Sequence, residues 1–146
     1  VPATPIDPIE GILAAFRDHQ FVGLGDGVSH NDESSHRFRL ALIRDPGFPT
    51  LVDDIVIEIG NSRYQAVADR FVNGADVPPE ELEKIWQELS QTMPTVDLAF
   101  RRELFETVRA VNAQLPVEQR IRIVLSDPPV DWSRVHAPAT RSVYAS

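Results

Sequence analysis

The chain has 146 residues, 42% of them hydrophobic, with 14 Lys+Arg against 22 Asp+Glu and a formal net charge of -8. That length suits one domain with a real core, and the acidic balance argues against a nucleic-acid backbone or an anionic lipid surface as partner. The sequence has no cysteine, which excludes disulfides, thiolate zinc sites and cysteine nucleophiles, and no apolar run approaches the roughly 20 residues of a membrane span.

The opening Val1-Pro2-Ala3-Thr4-Pro5 fits a mature end left by signal cleavage as well as an artificial boundary, so cytoplasmic and exported locations stay equally open. Asp7 as N-cap and Pro8 at the first helical position start a helix with Ile9, Ile12, Leu13 and Phe16 at helical spacing; it ends at His19-Gln20. Phe21 to Leu24 is expected to be the first strand, followed by a polar loop from Gly25 to Ser34 and a helix from about Ser35 to Arg44, halted by Asp45-Pro46-Gly47. Ile55 to Ile59 is a near-continuous apolar run, the pattern of a strand covered on both faces of a parallel sheet.

Ser62-Arg63-Tyr64-Gln65 reads as a capping box in which Gln65 reaches back to the cap, and Gly74 as the C′ residue that closes the helix. Pro78 or Pro79 begins another helix, with Leu82, Ile85, Trp86 and Leu89 on one face. Thr95 or Asp97 caps a longer one, whose Phe100, Leu104, Val108, Val111 and Leu115 form a stripe. Ile121 to Leu125 is the third expected strand, and residues 136–146 read as a loose tail. The order αβαβαααβ predicts a single α/β domain over residues 1–135, with a short parallel sheet of about three strands joined by right-handed crossovers.

Each expected strand ends on an acid followed by turn chemistry: Asp26, Glu58 and Asp127. In parallel strands the three carboxylates gather at the carboxyl edge, where open α/β sheets bind ligands. The loop after the first strand adds His30, Glu33 and His36. A His beside a carboxylate serves as a general base or, with Asp26, as a metal ligand; the same loop also reads as a set of helix caps in Asn31, Asp32 and Ser34. Glu58 lies inside an apolar run, where an unpaired carboxylate is costly to bury. It therefore either faces a polar cavity or pairs with Arg63 or Arg39. Asp127 precedes the rigid Pro128-Pro129 turn, and Asp131 and Trp132 follow as candidate pocket walls or, in the plainer reading, as turn and packing residues.

Gly25-Asp26 followed by His30, with Ser35-His36-Arg37-Phe38-Arg39-Leu40-Ala41-Leu42-Ile43-Arg44-Asp45-Pro46, resembles the opening motif of proteins related to erythromycin esterase. That wider group includes the ChaN-like haem-binding and Tiki-type metalloprotease proteins. Asp54 to Gln65 and Ser126 to Trp132 resemble segments of one uncharacterised bacterial branch of it. The resemblance spans roughly Ile9 to Val135 and implies an α/β fold with a site at the strand ends. Asp26 would take the place of the usual Glu and His30 that of the usual His. Relatives run longer, so the resemblance also implies a shortened member or a piece of a longer protein.

Three functions follow as expectations. The first is a hydrolase-like protein in which His30, Glu58 and Asp26 activate water on an ester or amide, with Asn61, Arg63, Asp127 and Trp132 binding the substrate. The second is a binding protein for a divalent metal or haem, with Asp26, His30 and His36 as ligands. The third is a catalytically inactive interaction domain. The expected partners are a small-molecule ligand and a second copy of the chain in a homo-oligomer, with neither nucleic acid nor membrane insertion.

Overall fold

The computed structural model describes residues 5–25, 32–90 and 98–135. Its helices form where caps and apolar spacing coincide. The first, α1 (Pro8–Asp18), starts as expected: the Asp7 carboxylate accepts from the N–H groups of Ile9 at 2.8 Å and Glu10 at 3.1 Å. The second, α2 (Glu33–Arg44), starts two residues earlier than expected, because Asp32 is its N-cap. The Asp32 carboxylate accepts from the backbone N–H of Ser35 at 2.9 Å and from the hydroxyls of Ser34 and Ser35 at 2.6 Å each. These bonds hold its pKa down at about 2.

Strand β1 (Asp54–Asn61), helices α3 (Gln65–Val72), α4 (Pro79–Gln87) and α5 (Leu98–Asn112), and strand β2 (Arg122–Asp127) follow, with single 3-10 turns between some of them. The Thr95 or Asp97 cap and the expected tail lie outside the described residues. Gly74 closes α3 as expected: its φ of 96° is left-handed, and its N–H donates to the Phe71 carbonyl while Ala75 donates to that of Arg70. Arg109 of α5 donates to the carbonyls of Phe71, Gly74 and Ala75 at this same end, which binds α5 to α3.

The sheet is parallel but has two strands among the described residues, not about three. Phe21 to Leu24 forms no strand: the segment is irregular, with Phe21 86% exposed and Leu24 44%. Gly23 breaks the run, offers no side chain to pack and weakens strand formation. The element order is therefore ααβαααβ.

β1 and β2 pair from Asp54↔Arg122 through Ile57↔Leu125, slip, and meet again at Asn61↔Asp127. α3 packs on β2, α4 packs on β1, and α5 lies against α2 and α3. Ile123 and Leu125 project into the core with Leu82, Ile85, Trp86, Phe105 and Val108. The opposite face of the sheet carries Asp54, Val56, Glu58, Arg122 and Ser126, all exposed. The apolar run of β1 is thus covered on one face, not two: Ile55 and Ile57 pack against the core, and Val56 is 54% exposed.

The capping-box expectation is also corrected. Asn61, not Ser62, accepts from a following N–H, that of Arg63 at 3.0 Å. Gln65 begins α3 and turns its amide to the sheet. Its Nε2 donates to the Ile123 carbonyl at 2.8 Å, and its Oε1 accepts from the Leu125 N–H at 2.9 Å. These backbone groups point away from β1, so one side chain satisfies the outer edge of β2 as a neighbouring strand would.

Candidate functional site

The expected site residues fall into two places. At the carboxyl edge, Asn61 and Asp127 end the two strands side by side, and both are buried. Asn61 Nδ2 donates to the carbonyls of Glu88 at 2.5 Å and Val130 at 3.0 Å. Asp127 accepts from the backbone N–H of Ser90 at 2.8 Å and from its hydroxyl at 2.5 Å. Arg63 pairs with Asp131 at 2.9 Å, and Trp132 Nε1 donates to the Leu89 carbonyl at 3.1 Å. The Tyr64 hydroxyl donates to the Glu88 carboxylate. Burial, that hydrogen bond and the adjacent negative charge push its pKa up to about 12.

Of the three acids expected at this edge, only Asp127 is found there: Glu58 lies on the open sheet face and Asp26 outside the described residues. Asn61, Asp127 and Trp132 each bond to the Glu88–Ser90 segment, and Arg63 bonds to Asn61 and Asp131, in a knot that ties the end of α4 to the turn after β2. A buried polar group satisfied in this way specifies structure.

The second place is a groove of about 1160 Å³ along the free edge of β1. The irregular segment from His19 to Gly25 forms one wall, Asp53 to Ile59 another, and α2 and α5 close it with His36, Arg39, Phe100 and Arg101. None of Asn61, Arg63, Asp127 or Trp132 lines it. Glu58 does, standing exposed on the open sheet face with no hydrogen bond or ion pair among the described residues. Its expected pairing with Arg63 is not made, since Arg63 binds Asp131. Three residues separate it from the strand end, roughly 10 Å at the usual rise per residue, which keeps it out of the knot.

Asp26, His30 and the rest of residues 26–31 lie outside the described residues, so of the four candidates Asp26, His30, Glu33 and His36 the structure describes Glu33 and His36. Glu33 pairs with Arg37 one turn along α2. His36 is buried, with its ring stacked on Phe100 at 4.4 Å and 18° between planes. Its Nε2 lies 3.3 Å from Glu103 Oε2. A carboxylate oxygen accepts, so Nε2 is the donor in this contact. Among the described residues no group of three or more acids and histidines is arranged to hold a metal ion. None of the described helices is long and apolar enough to cross a membrane.

Sequence reasoning missed Arg39 and Arg101 as groove residues. Burial lowers the pKa of both guanidiniums, that of Arg101 to about 10. Arg101 Nε is shielded from solvent without a hydrogen-bond partner; among the described residues it shares that state only with Trp86 Nε1. The available signal was a cation at position 101, beside Phe100 on the apolar stripe of α5. No protein-family model matches the chain, and no curated protein or solved structure is similar enough to count as a match.

Proposed function

We propose that the groove along β1 is the ligand site of a hydrolase-like protein akin to the erythromycin esterase group, acting on an ester or amide of a small molecule. One observation carries this reading. The loop holding Asp26 and His30 leaves the described chain at Gly25 and rejoins it at Asp32, and both residues line the groove that Glu58 also lines. A substrate there lies beside an exposed carboxylate and between the two chain positions, Gly25 and Asp32, that flank Asp26 and His30 in the sequence. In the proposed reaction His30 takes a proton from water as the oxygen attacks the acyl carbon. The carbon–oxygen or carbon–nitrogen bond then breaks, and the leaving group departs with the proton. Glu58 and Asp26 hold the imidazole and stabilise its charged form. Asn61, Arg63, Asp127 and Trp132 drop out of the substrate-binding role and brace the strand ends.

The test is hydrolysis of a panel of nitrophenyl esters and anilides by the wild type, His30→Ala and Glu58→Gln. Loss of turnover in both variants, with unchanged thermal unfolding, supports the assignment. Turnover that persists in His30→Ala, or its absence in the wild type, overturns it.

A further inference from the structure

The groove has two chemical characters. One stretch is apolar, built by Phe16, Leu42, Ile43, Phe48 and Leu104, with Phe21 and Val56 exposed at its rim. The other is polar: Arg39 of α2 and Arg101 of α5 line it with His36, as do the acids Asp18, Asp53 and Glu58. Asp32 and Asp54, which also line it, are already occupied, Asp32 by the Ser34 and Ser35 donors and Asp54 by a two-pronged pair with Arg122 at 2.9 Å. Glu103 is taken by His36. Arg39 has an interaction of its own.

Arg101 differs from them. Its guanidinium is half-buried, its Nε–H is fully shielded, and it has no hydrogen bond or ion pair among the described residues. A desolvated, unmatched cation costs free energy that folding alone does not return. An oxyanion arriving through the groove would return it, because the guanidinium fork meets a carboxylate with two parallel hydrogen bonds.

We infer that the groove holds a subsite for a monoanionic carboxylate at Arg101, the residue that grips it, with the apolar stretch holding the rest of the ligand. A chain of net charge -8 repels a doubly charged phosphate ester more strongly than a single carboxylate, which favours the carboxylate. The inference deepens the reading of the groove as a ligand site and names the substrate class as a molecule with a free carboxylate in addition to its scissile bond.

Calorimetric binding of phenylacetate, its neutral isostere phenylacetamide and phenyl phosphate tests this without any need for turnover. Phenylacetate should bind about ten- to hundredfold more tightly than the amide, the range of a charge-assisted pair. Arg101→Gln should erase that preference, and Arg101→Lys should keep part of it by retaining the charge without the fork. Neither variant removes an existing pair, so both should melt close to the wild type. Equal binding of acid and amide by the wild type, tighter binding of phenyl phosphate, or a preference that survives Arg101→Gln each overturns the subsite. Hydrolysis of neutral esters with no carboxylate preference would overturn this inference alone and leave the proposed function standing.

Discussion

Ser90 gives Asp127 both of its donors, the backbone N–H at 2.8 Å and the hydroxyl at 2.5 Å. The carboxylate that ends β2 thereby holds the chain segment following α4. Asp127→Ala leaves the Ser90 N–H facing a buried gap and should cost about 2 kcal/mol, within the range for hydrogen bonds to a charged acceptor. Ser90→Ala removes the hydroxyl bond alone and should cost about half as much. Urea unfolding of both variants checks the order; equal stabilities for Asp127→Ala and wild type would remove Asp127 from the structural role assigned here.

Asn61 is fully buried and joins the Glu88 and Val130 carbonyls to the end of β1. Asn61→Ala strands two carbonyls and should destabilise the fold by about 2–3 kcal/mol. Because Asn61 and Asp127 serve one knot, the double variant should lose less than the sum of the two single changes. Strict additivity in denaturation experiments would mean that the two ties act separately.

Tyr64 should ionise late. Its folded pKa is raised to about 12 from the ordinary phenol value of 10.0, so the folded state favours the neutral phenol. The resulting stabilisation is complete below the unfolded value and is lost as pH rises from about 10 toward 12. The difference between ultraviolet titrations of wild type and Tyr64→Phe should show a midpoint near 12. A midpoint near 10 would mean that neither burial nor the Glu88 contact acts on the phenol.

Gly60 permits the close approach of the strands after the register slip. A Cβ there would meet Leu125 Cδ2 at 2.7 Å and Ile57 Cδ1 at 3.3 Å. Gly60→Ala should cost about 1–3 kcal/mol by overpacking, read as a lowered thermal midpoint. An unchanged midpoint would show that Leu125 turns aside freely.

Glu58→Gln should change stability by no more than about 0.5 kcal/mol, as expected for an exposed residue outside any network. Chemical denaturation checks this directly, and a neutral result makes any loss of activity in that variant a statement about chemistry.

Periodicity and caps made most of the helices legible. Asp7-Pro8, the stripe of α4 and Gly74 each carry a local signal, and each element forms where that signal stands. Both strands of the sheet were legible as apolar runs. Phe21 to Leu24 had the composition of a strand, but strand formation depends on a partner's ladder, and composition does not report one. The site was partly legible: Asn61 and Asp127 do end the two strands side by side, yet Glu58 stands apart, and the partners of the first two come from Glu88, Ser90 and Val130, which no sequence pattern announces. Arg101 escaped notice because its importance lies in a missing partner, a property of the packed state alone.

Gln65 occupies the outer edge of β2 with a side chain, so this sheet can lengthen sideways only at β1. The backbone groups of Asp54, Val56 and Glu58 that alternate away from β2 open into the groove. A bound ligand and an incoming strand from a second molecule would therefore compete for the same wall. Ligand occupancy would act as a guard against edge-to-edge self-association, coupling the solubility of the chain to the filling of its groove.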